Sequence, residues 1–183
     1  MRRFVLVGAM VLAGGSVAGL AGAKSAAPSK AKVVIVKLEP KSGSKATGTA
    51  TFTEEGGKVS LVVELSGATP GEHALHIHEK GDCSDPEAKN AGGHWNPTTP
   101  PAAHGKWGSA AHHLGDIGNL TVGADGKGTL KMSTEKWAVG GGGFNDITGK
   151  AVVIHGGVDD FTTQPTGNAG NRIACGVIGA AAK

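Results

Sequence analysis

Apolar and polar residues alternate along much of this chain with a period of two. Val59, Leu61, Val63 and Leu65 interleave with Ser60, Val62, Glu64 and Ser66, and residues 47–53 alternate likewise. Successive side chains of an extended strand point to opposite faces, so this pattern predicts strands buried on one side. Glu54-Glu55-Gly56-Gly57 between the two runs is turn chemistry, which makes them an antiparallel hairpin. A second hairpin joins Leu120 and Val122 to Leu130 and Met132 through Ala124-Asp125-Gly126-Lys127, with glycine where a positive φ is tolerated. Residues 33–38, 74–78, 151–155 and 173–178 complete the set of strands. No long 3.6-residue apolar repeat is present, and 32 glycines and eight prolines leave little room for helix. The chain reads as an all-β sandwich or barrel. Two segments, 81–114 and 156–171, lack strand character, and stretches of that length in a compact domain are usually functional. The glycine run 140–143 has no strand-to-helix context for a phosphate cradle and reads as a turn.

The N-terminus adds a different kind of signal. Met1-Arg2-Arg3 precedes an apolar run from Phe4 to Leu20 that ends in Ala21-Gly22-Ala23, the pattern of a secretory signal peptide over residues 1–23. Glycines and a serine interrupt the run and a lysine-containing stretch follows it, so no membrane anchor is expected after cleavage. Residues 24–31 read as a flexible lead-in and 32–183 as a single domain. Loss of Arg2 and Arg3 lowers the formal charge of +3 by two, so no basic surface for nucleic acid is expected. The periplasm is the expected location, with extracellular release as the alternative. Two cysteines, an even count in an exported chain, favour one disulfide.

The histidines carry the chemistry. All eight lie between positions 73 and 155, in the order His76-x-His78, His94, His104, His113-x-x-Asp116, His155, with His73 and His112 beside them. On a strand His76 and His78 share a face while His73 takes the other, so the pair can reach one ion and His73 is structural. His155 ends an apolar run and faces a long segment. His94, His104, His113 and Asp116 lie in or beside the first long segment, and three imidazoles with one carboxylate form a closed set of the kind zinc prefers. His112 could replace His113 on spacing alone, and Asp116 could instead be a turn former. Together these residues outline a two-metal site.

His76-Ile-His78-Glu-Lys-Gly-Asp82, Gly93-His94-Trp-Asn-Pro97, His113-Leu-Gly-Asp116-Ile-Gly-Asn119 and Gly167-Asn-Ala-Gly-Asn-Arg172-Ile-Ala-Cys175-Gly-Val-Ile-Gly179 together resemble copper/zinc superoxide dismutases, from about Val33 to Ile178. The resemblance implies an eight-stranded Greek-key barrel with two long functional loops. It implies dismutation of superoxide at copper, cycling between Cu(2+) and Cu(+), joined to a structural Zn(2+). His76, His78, His94 and His155 would hold copper, and His94, His104, His113 and Asp116 zinc, with His94 as bridging imidazolate and proton donor. Cys83 and Cys175 match the family disulfide, Arg172 the anion-guiding arginine, Asp159 the carboxylate linking the two metal sites, and His73 a structural histidine. A homodimer is compatible with the resemblance. Unlike the animal enzymes, segment 156–171 is short and lysine-free, and the His94–His104 stretch, with Pro97, Pro100 and Pro101, is longer. Lys80, Lys89 and Lys106 are alternative sources of an attracting field.

Two other function classes fit parts of the pattern. A noncatalytic periplasmic copper- and zinc-binding module would need affinity but no anion position, against which Arg172 argues. A zinc hydrolase needs an open coordination position, and four protein ligands leave none evident.

Overall fold

Strands form where the alternation predicts them, because each buries one apolar row. The computed structural model describes residues 30–181; the expected signal segment and nearly all of the lead-in lie outside them. The strands are β1 (Lys32–Pro40), β2 (Thr47–Glu55), β3 (Lys58–Ser66), β4 (Gly71–His78), β5 (Asp116–Val122), β6 (Lys127–Thr134), β7 (Ala151–His155) and β8 (Arg172–Val177). They close into one antiparallel barrel in the order β1-β2-β3-β6-β5-β4-β7-β8. The chain meanders through β1–β3, crosses to β4, and crosses again from β6 to β7. The expected eight-stranded, nearly helix-free barrel is therefore observed.

The hairpin turns obey their residues. Gly56 and Gly57 both take positive φ, 58° and 81°, which suits the twist between β2 and β3. Val34, Val36, Leu38, Phe52, Leu61, Val63, Leu75, Ile77, Val152 and Ile154 fill the interior, each worth about 1.5–3 kcal/mol of burial. Segment 135–150, in which the sequence showed only a glycine turn, also feeds this core. It sends in Trp137, whose Nε1–H donates to the Leu114 carbonyl at 2.8 Å and whose ring meets Phe52 edge-on, and Val139 and Ile147.

β4 and β7 differ from the other strands in being buried on both faces. Leu75 and Ile77 face inward, so His76 and His78 stand on the barrel's outer surface, roofed by residues 79–115 and 156–171. His155 shares that outer surface with Ala151 and Val153. Two register shifts complete the set. Leu75 pairs Gly118 but His76 pairs Asp116, so Ile117 is an extra residue that turns Asp116 onto the face of His76. Ile154 pairs Ala174 but His155 pairs Arg172, so Ile173 likewise brings Arg172 beside His155. Without these bulges both charged side chains would belong to the apolar interior. The Cys83–Cys175 disulfide ties the first roof segment to β8.

Candidate metal centre

The outer faces of β4, β5, β7 and β8 and the two roof segments bring together two groups of side chains. His76, His78, His94 and His155 each offer a ring nitrogen, and these lie within 4.8 Å of one another; His94, His104, His113 and Asp116 do the same. All seven residues are buried, and His94 belongs to both groups. His94 comes from the first roof segment and is held against β4 by an isolated bridge to His78. Trp95 N–H donates to Ile77 O and Gly115 N–H to Trp95 O, which lays residues 94–95 between β4 and the approach to β5. A side chain at Gly115 would collide with the Ile77 carbonyl, 2.2 Å from its Cβ position.

The hydrogen bonds fix which nitrogens are free. His78 Nδ1 donates to Gly92 O at 2.9 Å and His155 Nδ1 to Gly170 O at 3.2 Å, so both neutral rings present bare Nε2 atoms, 3.3 Å apart. His76 Nε2 donates to Asp159 Oδ2 at 2.8 Å, leaving its Nδ1 bare, and that atom is buried without a partner. His94 Nε2 is likewise buried and unpartnered. Four lone pairs converge on one point, an arrangement that repels itself unless a cation sits among them.

The second group has the same logic around a carboxylate. His94 Nδ1 and His113 Nδ1 approach Asp116 Oδ1 at 2.8 and 3.1 Å. Asp116 Oδ2 accepts N–H groups from His113 and Gly105, and His104 Nδ1 stands 3.0 Å from it without making a hydrogen bond. His104 Nε2 donates to Asp159 Oδ1 at 2.9 Å, so the Nδ1 facing Asp116 carries a lone pair. Anion against lone pair is again a contact that a cation resolves. These donor sets fit copper on imidazoles and zinc on three imidazoles and a carboxylate.

Asp159 spans the two groups, one oxygen on His76 and the other on His104, and Asn119 clamps its backbone in both directions at 2.8 and 3.0 Å. His73 stays outside, its ring held by His155 O and Thr69 O. His112, equivalent to His113 by spacing, instead meets Ser109 O and Lys136 Nζ.

A cleft of about 210 Å³ opens over the first group, with His78, His94 and His155 as its floor and Thr166, Asn168 and Arg172 on its rim. Arg172 donates Nη1 to Ala88 O and Nη2 to Gly92 O, at 2.5 and 2.6 Å, so its charge is held in place at the rim. Lys89 shares a neighbouring cleft with Arg172 but pairs with Glu87; Lys106 lies apart, over the Phe161 ring. No pattern in the sequence assigns Thr166 or Asn168 a role, since a rim residue in an irregular segment has no periodicity to mark it.

Burial holds the four imidazoles of the first group neutral. It drives His94 down to about 4, against its bond to Asp116 and with help from His76, and His155 down to about 3, aided by His76. His76 and His78 are lowered for the same reason, His78 further by the charges of His155 and His94. Burial would raise Asp116, but its bonds from His113 and His94 hold it well below the usual carboxylate range. An unfolded chain takes up protons at His94 and His155 near pH 6.5, while the fold resists until about 4 and about 3 respectively. The metal-free protein should therefore keep full stability above about pH 7 and lose it progressively between about 6.5 and 3, each unit of displacement carrying about 1.4 kcal/mol. Urea midpoints across that range check this; midpoints constant down to pH 4 would contradict it.

Known proteins are similar to this chain in sequence and fold. The family model described as "Copper/zinc superoxide dismutase (SODC)" matches residues 46–178. A protein named superoxide dismutase [Cu-Zn] from Caulobacter vibrioides is 42% identical over 138 residues, covering 73% of this chain and 79% of its own. One of the same name from Deinococcus radiodurans is 39% identical over 146 residues, covering 73% and 78%. The crystal structure of a double mutant of a SOD-like protein from Bacillus subtilis superposes with a TM-score of 0.70 at 37% identity, covering 80% of this chain and 97% of that one. Barrel, paired donor sets and sequence agree: this chain belongs to the copper/zinc superoxide dismutase family.

Proposed function

We propose that this chain dismutes superoxide outside the cytoplasm, with copper held by His76, His78, His94 and His155 and zinc by His94, His104, His113 and Asp116. The convergence of bare, buried nitrogens beneath the arginine-rimmed cleft carries this reading. Copper supplies one-electron exchange between two oxidation states when bound, and zinc, with its filled d shell, supplies charge alone.

The protein's own groups do the rest. Arg172 stands at the rim with its guanidinium oriented by Ala88 O and Gly92 O, and draws a small anion toward the floor of His78, His94 and His155. His94 offers Nδ1 to one donor set and Nε2 to the other. Its Nε2, buried and unpartnered, is the atom at which the chain would hold a proton and give it to product, while Nδ1 faces Asp116. Asp159 holds His76 and His104 in the tautomers that keep their Nδ1 atoms bare. The overall balance is two superoxide anions and two protons to one dioxygen and one hydrogen peroxide.

The basic, then apolar, then small-residue N-terminus supports export to the periplasm, where the enzyme would act in antioxidant defence, with extracellular release as the alternative. Among the described residues no helix is long and apolar enough to cross a membrane.

Superoxide decay tests this directly. Protein loaded with both metals should accelerate decay, a copper chelator should abolish the acceleration, and Arg172→Ala should cut the rate about tenfold at low salt with metal content unchanged. Decay indifferent to copper would reject the reading.

A further inference from the structure

Three of the four donors to the proposed zinc site are fixed by strands: Asp116 begins β5, His113 lies three residues before it, and His94 bridges to β4. His104 has no strand beside it, and its one tie in that direction is the neighbouring Gly105 N–H, which donates to Asp116 Oδ2. It sits in the middle of residues 79–115, ten positions from His94 and nine from His113, with Pro97, Pro100 and Pro101 on one side. Ordering a residue outside any strand costs backbone entropy, so other contacts must hold it.

That support comes from the other roof segment. The Gln164 carboxamide lies flat against the His104 backbone: Oε1 accepts the His104 N–H at 2.9 Å, and Nε2 donates to the His104 carbonyl at 2.9 Å and to Thr162 O at 3.3 Å. The pair of bonds imitates one rung of a β-ladder, made by a side chain where no strand is present. Asp159 Oδ1 meanwhile holds the His104 ring at Nε2. Backbone and ring are thus both fixed from residues 156–171, and the bare Nδ1 can point only toward Asp116. Gln164 is itself solvent-exposed and touches none of His76, His78 or His155 through a hydrogen bond.

We propose that Gln164 is a positioning residue for zinc: its two-way bond to the His104 backbone presets the one donor that no strand places, and so governs how long zinc is retained. The inference rests on His104 being a zinc ligand, as proposed above.

The test uses protein carrying both metals, with zinc release into a chelator followed by a zinc-responsive dye and copper followed in parallel. Gln164→Ala removes two neutral hydrogen bonds at a partly wet site, so it should release zinc about tenfold faster, a conversion of about 1.4 kcal/mol. Gln164→Glu keeps the acceptor for the His104 N–H and loses the donor, so it should fall between the two. Copper retention should not change. Zinc release at the wild-type rate from both variants would overturn the proposal. Equal loosening of both metals would also overturn it, because the glutamine would then merely stabilise the segment. Wild-type protein that takes up no zinc at all would instead sink the assignment of His104, an outcome distinct from either.

Discussion

Gly167→Ala should weaken binding at both metal positions although residue 167 donates to neither. Gly167 has φ +66°, and a Cβ there would lie 1.9 Å from Asp159 Oδ1 and 2.7 Å from His104 Nε2, between the two atoms of the bond that links the roof to His104. The backbone cannot easily retreat, since Gly167 N–H donates to Thr163 O and its carbonyl accepts from Asp160 N–H. Asp159 must therefore turn away, and it releases His76 and His104 together. Loss of such a partner typically costs 10–100-fold in metal affinity, and the left-handed backbone of a non-glycine residue adds about 1–3 kcal/mol of strain. Competition with calibrated chelators should show both affinities falling about 10–100-fold. Gly179→Ala is the control, with open space around its Cβ position and no positive φ. Wild-type affinities in Gly167→Ala would refute the role given to Asp159.

Strand parity made much of this legible. The alternation over 59–66 fixed β3, the His-x-His spacing put His76 and His78 on one face with His73 on the other, and the turn residues located both hairpins. What parity could not supply is the way Asp116 and Arg172 reach the same face. Each depends on an extra residue, Ile117 or Ile173, whose unpaired position is decided by the partner strand and leaves no mark in local composition. Spacing also left His112 and His113 equivalent, and only the three-residue reach from His113 to Asp116 in the folded loop separates them.

The irregular segments were the least legible part. Trp137 fills the barrel from a stretch that reads as a glycine turn, because its burial comes from Phe52 and the Leu114 carbonyl, both distant in sequence. Gln164 and Thr166 act across similar distances. A loop residue's role is set by whatever the other loop presents to it, and a single sequence does not contain that pairing.

Cutting the link between Cys83 and Cys175 should produce the largest loss of stability short of a core deletion, and it should also reach the active site. The bridge spans 92 residues, for which the chain-entropy relation gives about 4 to 5 kcal/mol. For a domain of this size that corresponds to a fall in Tm of roughly 10–15 °C. The link to activity runs through the first roof segment. Arg172 is oriented by the carbonyls of Ala88 and Gly92, and Lys41 anchors the same segment through Cys83 O and Asp85 O. Cys175 lies three residues after Arg172 on β8, so the disulfide fixes residues 83–92 against the strand that carries the guanidinium. Freed from it, the two carbonyls can drift, and Arg172 loses its fixed position over His78 and His155 while every metal donor remains in the chain. A Cys83→Ala/Cys175→Ala variant loaded with both metals should therefore show a lowered Tm together with a reduced rate at low salt. Restoring stability with an added osmolyte should recover the Tm before the rate. A variant with the lowered Tm and an undiminished rate would mean that Arg172 needs no support from the segment the disulfide secures.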